Sequence, residues 1–324
     1  MPHEDATSRA HSVSVPQAAL PSPHTTPMPN MSVRRAWWLA VRPRTLPAAL
    51  APVVLGSSIA AYYGAFHLPS ALLAALCAVL IQIGTNLAND YYDFVKGADT
   101  SERVGPLRVT QSGLLPPRAV RNGMRWVLTA AFGFGLLLVW RGGIPILLIG
   151  VASLLCAVAY TAGPFPLAYV GLGDLFVLVF FGCIAVAGTV YVQTLNFSHV
   201  AVVAGLGPGL LATALLAVNN LRDRETDRRA GKRTLAVRFG AAFARAEYAL
   251  CILGAHGVVP IACIAMGAPR GILMGVLTLP LGLWLAYRVS KTDGAALNPL
   301  LGRTAQLLLL HSTLTALGWL GSRL

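Results

Sequence analysis

Residues 199–227 read HVAVVAGLGPGLLATALLAVNNLRDRETD. The first part is a run of about 20 apolar and small residues, enough to cross a bilayer as a helix. It passes without a break into Asn219, Asn220, Arg222, Asp223, Glu225 and Asp227. Carboxylates at the edge of hydrocarbon are costly and mark function. Asn219, Asp223 and Asp227 are spaced i, i+4, i+8, so a helix places them on one stripe. This stretch therefore predicts a membrane helix whose last turns carry chemistry.

The same design occurs earlier in the chain. The apolar run over 68–88 passes into Asn86-Leu-Ala-Asn89-Asp90-Tyr-Tyr-Asp93, with Asp99 just beyond. Asn86 and Asp90 form one i, i+4 pair, and Asn89 and Asp93 form another. The chain has only 12 acidic residues, and seven of them lie in these two segments, Glu102 included. One such cluster alone is explained as well by a surface ion-pair network. Two clusters in matched positions point to one shared site.

Composition supports the membrane reading. The 324 residues are 56% hydrophobic and 11% charged, against about 25% charged for a soluble domain. Apolar runs predict nine spans at 45–65, 68–88, 120–140, 144–162, 171–192, 199–219, 244–266, 271–289 and 303–321. With the N-terminus cytoplasmic, 22 of the 25 Lys and Arg fall inside, and only Arg141, Arg270 and Arg323 fall outside. This asymmetry predicts the C-terminus outside and both acidic clusters at the cytoplasmic face of the membrane. It also explains the net charge of +13 without nucleic acid.

The predicted fold is an all-α membrane protein of about nine transmembrane helices in one bundle. Spans 1–4 and 5–8 each place Asn-x-x-x-Asp at the end of their second helix. They read as two parallel four-helix repeats with a ninth helix appended. Residues 1–33 are rich in Ser, Pro, His and Thr and lack an apolar stretch; they predict a disordered tail before one domain over 34–324. The five cysteines sit in apolar runs without a C-x-x-C pair and read as core residues.

Hard oxygen ligands at this density suit Mg²⁺, which takes one or two carboxylates together with substrate phosphates. Candidate metal ligands are Asp90, Asp93, Asp99, Asp223 and Asp227, with Asn86, Asn89 and Asn219 as ligating or orienting groups. The flanking cations Lys96, Arg108, Lys232 and Arg238 point to a diphosphate, whose oxygens Arg holds bidentately. If that diphosphate leaves, the same charges stabilise it. Gly231-Lys232-Arg233-Thr234 is not a P-loop, because the upstream glycine and a hydroxyl directly after Lys are missing. Gly205-x-Gly207-x-Gly209 lies inside a span and reads as a packing site. His67, His199, His256 and His311 show no pairing in the sequence.

At these residues the chain resembles the UbiA superfamily of intramembrane prenyltransferases, over about residues 34–321. Asn219-x-x-x-Asp223-x-x-x-Asp227 matches the family pattern fully. Asn89-x-x-x-Asp93 matches its first half, but Gly97 stands where many members have the next Asp. Gly97-Ala-Asp99, Gly105-Pro-Leu-Arg108, Tyr160-Thr-Ala-Gly-Pro-x-Pro166, Gly171-Leu-Gly-Asp174 and Gly231-Lys-Arg-Thr-Leu-Ala-Val-Arg238 look like the branch that prenylates 1,4-dihydroxy-2-naphthoate. The resemblance implies nine helices in a bacterial inner membrane, Mg²⁺, a polyprenyl diphosphate donor whose tail lies along apolar helices or in membrane lipid, and a naphthoate acceptor. It gives Asp90, Asp93, Asp223 and Asp227 the catalytic role, and sets Tyr160 and Asp174 on the acceptor side. Two alternatives stay open at this point. One is a related prenyltransferase with another aromatic or lipid acceptor. The other is an ion-coupled transporter, which would place its site at the midplane between inverted repeats.

Overall fold

The computed structural model describes residues 31–99 and 104–323. The expected tail lies outside them except for its last three residues, as do Glu102 and Arg103. The described residues form helices and no strand, the arrangement that satisfies backbone polar groups inside lipid.

Ser32 caps a short helix, α1 (Val33–Val41), by accepting from the Arg35 amide. The spans-only reading did not foresee this helix. It ends at Arg42, which takes a left-handed conformation (φ 53°). The chain then turns into α2 (Leu46–Tyr62) and α3 (Leu68–Val95). Next come α4 (Pro117–Ala159), α5 (Gly173–Thr194) and α6 (His199–Arg229). The bundle is completed by α7 (Leu235–Ala265), α8 (Arg270–Ser290) and α9 (Asn298–Gly321). Local signals set these starts. Pro69 and Pro117 stand in the first turns of α3 and α4, where proline's missing N–H costs nothing. Ser198 and Thr234 cap α6 and α7.

Seven helices among the described residues are long and apolar enough to cross a membrane, against nine expected spans. The difference lies in two places. The 43-residue α4 contains Gly143 at φ 66°, ψ −153°, followed by Pro145, so it is two rods joined at a bend. The 24-residue α9 carries Arg303, Gln306, His311 and Ser312, which lower its hydropathy.

α6 is the axis of the bundle. Two-thirds (67%) of its apolar window is buried, against 17% for α4, which faces outward. α6 packs on α5, α7 and α9, while α3 packs on α4. The largest core cluster joins α6 to α9 through Leu211, Tyr248, Leu285, Leu307 and Leu308. The glycines of α6 act as the sequence suggested. A Cβ on Gly205 would lie 2.7 Å from the Gly182 carbonyl, and one on Gly209 would lie 3.0 Å from its Cα. Gly182 sits in a π-helical stretch, Val179–Ile184, that widens α5 opposite this contact. The histidines correct the sequence reading. His256 and His311 are paired through Thr278, at 2.8 and 3.3 Å, with ring centroids 4.6 Å apart.

Candidate active site

α3 and α6 end in the same way. Each closes on a left-handed glycine, Gly97 (φ 67°) and Gly231 (φ 74°). The Ala98 amide donates to the Asp93 carbonyl at 2.9 Å, and the Lys232 amide donates to the Asp227 carbonyl at 2.9 Å. Both are Schellman turns, which turn the chain back at a helix end. In this register Asp93 corresponds to Asp227, and Asn89 to Asp223. The glycine at position 97 is thus the helix stop itself. The first motif runs out of helix one turn before a further Asp could be presented.

The turn after α6 carries Lys232 back over both helix ends. Its ammonium lies 3.2 Å from Asp93 Oδ2 and 3.6 Å from Asp227 Oδ1. One cation therefore touches a carboxylate from each motif. Asp93 is buried and accepts from two further donors, Arg108 (3.3 Å) and the Tyr169 hydroxyl (2.9 Å). Arg108 is itself buried and reaches Asp99 through Nε at 3.2 Å. Burial alone would lower the Lys232 pKa; Asp93 and Asp227 outweigh it, and the pKa lies above the ordinary lysine value. Lys96 moves the other way. Partial burial lowers its pKa and Lys232 adds to this, against the pull of Asp93.

Asp223 is held from within its own helix. Arg222 donates to both its oxygens, at 2.8 and 2.6 Å. The same guanidinium reaches Asn219 Oδ1 (2.8 Å) and Asn298 Oδ1 on α9 (3.0 Å). Asn298 in turn donates to the Val104 carbonyl (3.2 Å), beyond the first motif.

A cavity of about 420 Å³ opens below this cluster. Asn86, Asn89, Asp93, Arg108, Tyr160 and Lys232 line it, with Asn219, Asp223 and Asp227 from the second motif. Its deeper walls are apolar, with Phe176, Phe180 and Phe181 from α5 and small residues from α3 and α4. Asn86 donates to the Val41 carbonyl (2.9 Å) and to Thr45 (3.1 Å), which ties α3 to the entry of α2. Asn89 accepts from Thr161 at 3.0 Å. The Tyr160 phenol is pushed up from its ordinary pKa by burial first and by Asp174 second, so it stays protonated.

Five expected site residues do not line the cavity. Both Asp90 oxygens accept backbone amides, from Val109 (3.2 Å) and Thr110 (3.0 Å). Asp90 thus anchors the returning loop. Asp99 lies behind Arg108. Arg238 donates to the carbonyls of Arg233 (3.0 Å) and Val170 (2.7 Å), fastening two loops together. Asp174 is buried in the first turn of α5, and its Oδ1 has no donor among the described residues. Lys96 also stands outside the cavity wall, where it donates to the Thr161 carbonyl at 2.6 Å.

The donor set fits a hard cation. Among the described residues no three carboxylates or imidazoles converge into a cage, but Asp93 and Asp227 converge on one ammonium. Mg²⁺ asks for no more, since it takes one or two carboxylates and fills the rest with water and phosphate oxygens. Two residues of the site were missed from sequence. Arg222 was hidden among the positive-inside charges. Tyr169 lay between two recognised stretches, and its only signal was its position in the loop joining α4 to α5 at the same membrane face.

Residues 49–308 match the model of the UbiA prenyltransferase family. The chain is 38% identical over 301 residues to the 1,4-dihydroxy-2-naphthoate octaprenyltransferase of Escherichia coli (strain K12), covering 89% of this chain and 96% of that protein. It is 39% identical over 281 residues to the protein of the same name from Mycobacterium tuberculosis, covering 86% and 95%. Among solved structures, a UbiA homologue from Aeropyrum pernix K1 superposes with a TM-score of 0.63 at 18% identity, over 86% of this chain and 98% of that one. A UbiA homologue from Archaeoglobus fulgidus bound to GPP and Mg²⁺ superposes with a TM-score of 0.59 at 16% identity, over 87% and 99%. Matched in sequence over most of its length, with two acidic helix ends meeting across one lysine, this chain belongs to the UbiA prenyltransferase family.

Proposed function

We propose that this protein transfers a polyprenyl group from its diphosphate to 1,4-dihydroxy-2-naphthoate, with loss of diphosphate and CO₂, to give demethylmenaquinol. The observation that carries the reading is the convergence of Asp93, Asp227 and Lys232 at the mouth of a mainly apolar cavity. The names of relatives 37–39% identical over most of the chain select the acceptor.

The chemistry follows from the charges. Asp93, Asp223 and Asp227 would hold Mg²⁺, which when bound neutralises charge on the diphosphate. Lys232 and Arg108 line the cavity beside these carboxylates and stabilise the negative charge that builds as the allylic C–O bond breaks. The bonding electrons leave with diphosphate, and the prenyl C1 becomes cationic. Apolar walls exclude water, the competing nucleophile, and accept the isoprenoid tail from the membrane. The ring carbon that bears the carboxylate attacks C1. When CO₂ departs, its bonding electrons return to the ring, so aromaticity is restored without a base. The phenol of Tyr160, kept protonated, supplies a hydrogen-bond donor on the wall of the cavity.

The distribution of Lys and Arg supports a cytoplasmic site in a bacterial inner membrane. The test is product mass from membranes supplied with Mg²⁺, dihydroxynaphthoate and a mixture of prenyl diphosphates. A prenylated, decarboxylated naphthol is expected. Turnover of 4-hydroxybenzoate with none of dihydroxynaphthoate would overturn the acceptor, and no prenylation of any acceptor would overturn the reaction.

A further inference from the structure

Tyr169 occupies an unusual position. Two ammonium groups lie over its ring, Lys96 Nζ at 4.6 Å and Lys232 Nζ at 5.1 Å from the centroid. Both distances are within cation–π range. Its hydroxyl donates to Asp93 Oδ1 at 2.9 Å. Its carbonyl accepts from the Arg233 amide at 2.9 Å. One residue of the α4–α5 loop thus touches the carboxylate of the first motif and the lysines that follow both motifs.

The rest of that loop is stitched to the same two helix ends. Thr161 bonds Asn89 and accepts from Lys96. Val170 accepts from Arg238. Gly171 (φ 77°) passes so close that a Cβ would lie 2.7 Å from the Arg233 carbonyl. The loop therefore has little freedom, and Tyr169 is presented in one pose.

We propose that Tyr169 is a positioning residue for diphosphate ionisation. Its hydroxyl fixes the orientation of the Asp93 carboxylate, and its ring gives the ammoniums of Lys96 and Lys232 a common surface to rest on. Held against the ring face, Lys232 stays between the two carboxylates it pairs with, at the mouth of the cavity where phosphate oxygens arrive. This inference rests on the prenyl-transfer reading above, because it assigns Lys232 to a diphosphate.

The test compares wild type, Tyr169→Phe and Tyr169→Leu, purified in lipid nanodiscs. Mn²⁺ binding is measured by the loss of its free-ion electron paramagnetic resonance signal, with a non-cleavable prenyl thiodiphosphate present and no acceptor. Turnover is then measured against each substrate. Tyr169→Phe keeps the ring and loses only the bond to Asp93. It should weaken Mn²⁺ binding and lower kcat by about ten-fold. Its KM for dihydroxynaphthoate and its melting temperature should stay at the wild-type values. Tyr169→Leu also loses the ring and should in addition raise KM for the prenyl diphosphate. Wild-type Mn²⁺ affinity and kinetics in Tyr169→Phe would overturn the proposal. So would losses in both variants that scale with a fallen melting temperature and spread equally over both substrates. An inactive wild-type chain would instead overturn the prenyl-transfer reading, so the two failures are distinguishable.

Discussion

Lys232 and Asp93 stand 139 residues apart in the chain and 3.2 Å apart in the fold. The same ammonium reaches Asp227 at 3.6 Å. In this arrangement a lysine occupies the point between the motifs where their carboxylates would otherwise repel. Lys232→Gln removes that charge. We expect the variant to melt at a lower temperature than wild type without Mg²⁺, and to gain more stability than wild type on adding it. Thermal unfolding with and without millimolar Mg²⁺ checks this, and equal Mg²⁺ gains in the two proteins would refute it.

Metal removal separates structure from chemistry for the same reason. Chelation should abolish prenyl transfer in the wild-type enzyme, because diphosphate cannot leave uncompensated. It should leave the melting temperature nearly unchanged, because Lys232 and Arg108 already balance Asp93. Asp93→Ala and Asp227→Ala should abolish turnover in protein that still inserts. Retained activity in both would contradict the assignment of these carboxylates.

Asp90 and Asp93 have different duties although they are three residues apart. Asp90 is 1% exposed and accepts two loop amides. In Asp90→Asn one side-chain oxygen remains to accept, so one buried amide loses its partner. The expected cost is about 1–3 kcal/mol of stability. Mn²⁺ affinity should be close to wild type once the protein is kept below its new melting point. Metal binding abolished in folded Asp90→Asn would return Asp90 to the metal site.

The contrast shows what the sequence could carry. Spacing i, i+4 and the apolar runs identify α3 and α6, their acidic ends and the face they share, because a helix converts spacing directly into geometry. The cavity accordingly receives Asn86, Asn89, Asp93, Asn219, Asp223 and Asp227. Spacing says nothing about which side of a helix end the next loop covers. The turn at Gly97 and the return through Arg108 to Thr110 cover Asp90 and leave Asp93 facing the cavity. Tyr169 and Arg222 depend on loop–loop and helix–helix contacts over long separations, and no periodic pattern records them. The apolar runs over 120–140 and 144–162 read as two spans, and the bend at Gly143 falls between them. The π-helical stretch at 179–184 leaves no such mark, since it answers the close approach of Gly205 and Gly209 on another helix.

Arg222 tests how a buried charge is managed. It is almost fully buried, and it joins Asp223, Asn219 and Asn298. Arg222→Ala removes the guanidinium that holds both Asp223 oxygens, and breaking a buried pair in this way costs about 3–5 kcal/mol. Arg222→Lys keeps the charge but cannot span three partners with one planar fork. We expect Arg222→Ala to be poorly recovered from membranes. We expect Arg222→Lys to fold with a lowered melting temperature and reduced turnover. The double variant Arg222→Ala, Asp223→Ala should be more stable than Arg222→Ala alone, because the carboxylate that Arg222 held is removed with it. Melting temperatures of the three proteins decide the point: a double variant no more stable than Arg222→Ala would mean that Arg222 stabilises the fold through Asn219 and Asn298, and not by pairing Asp223.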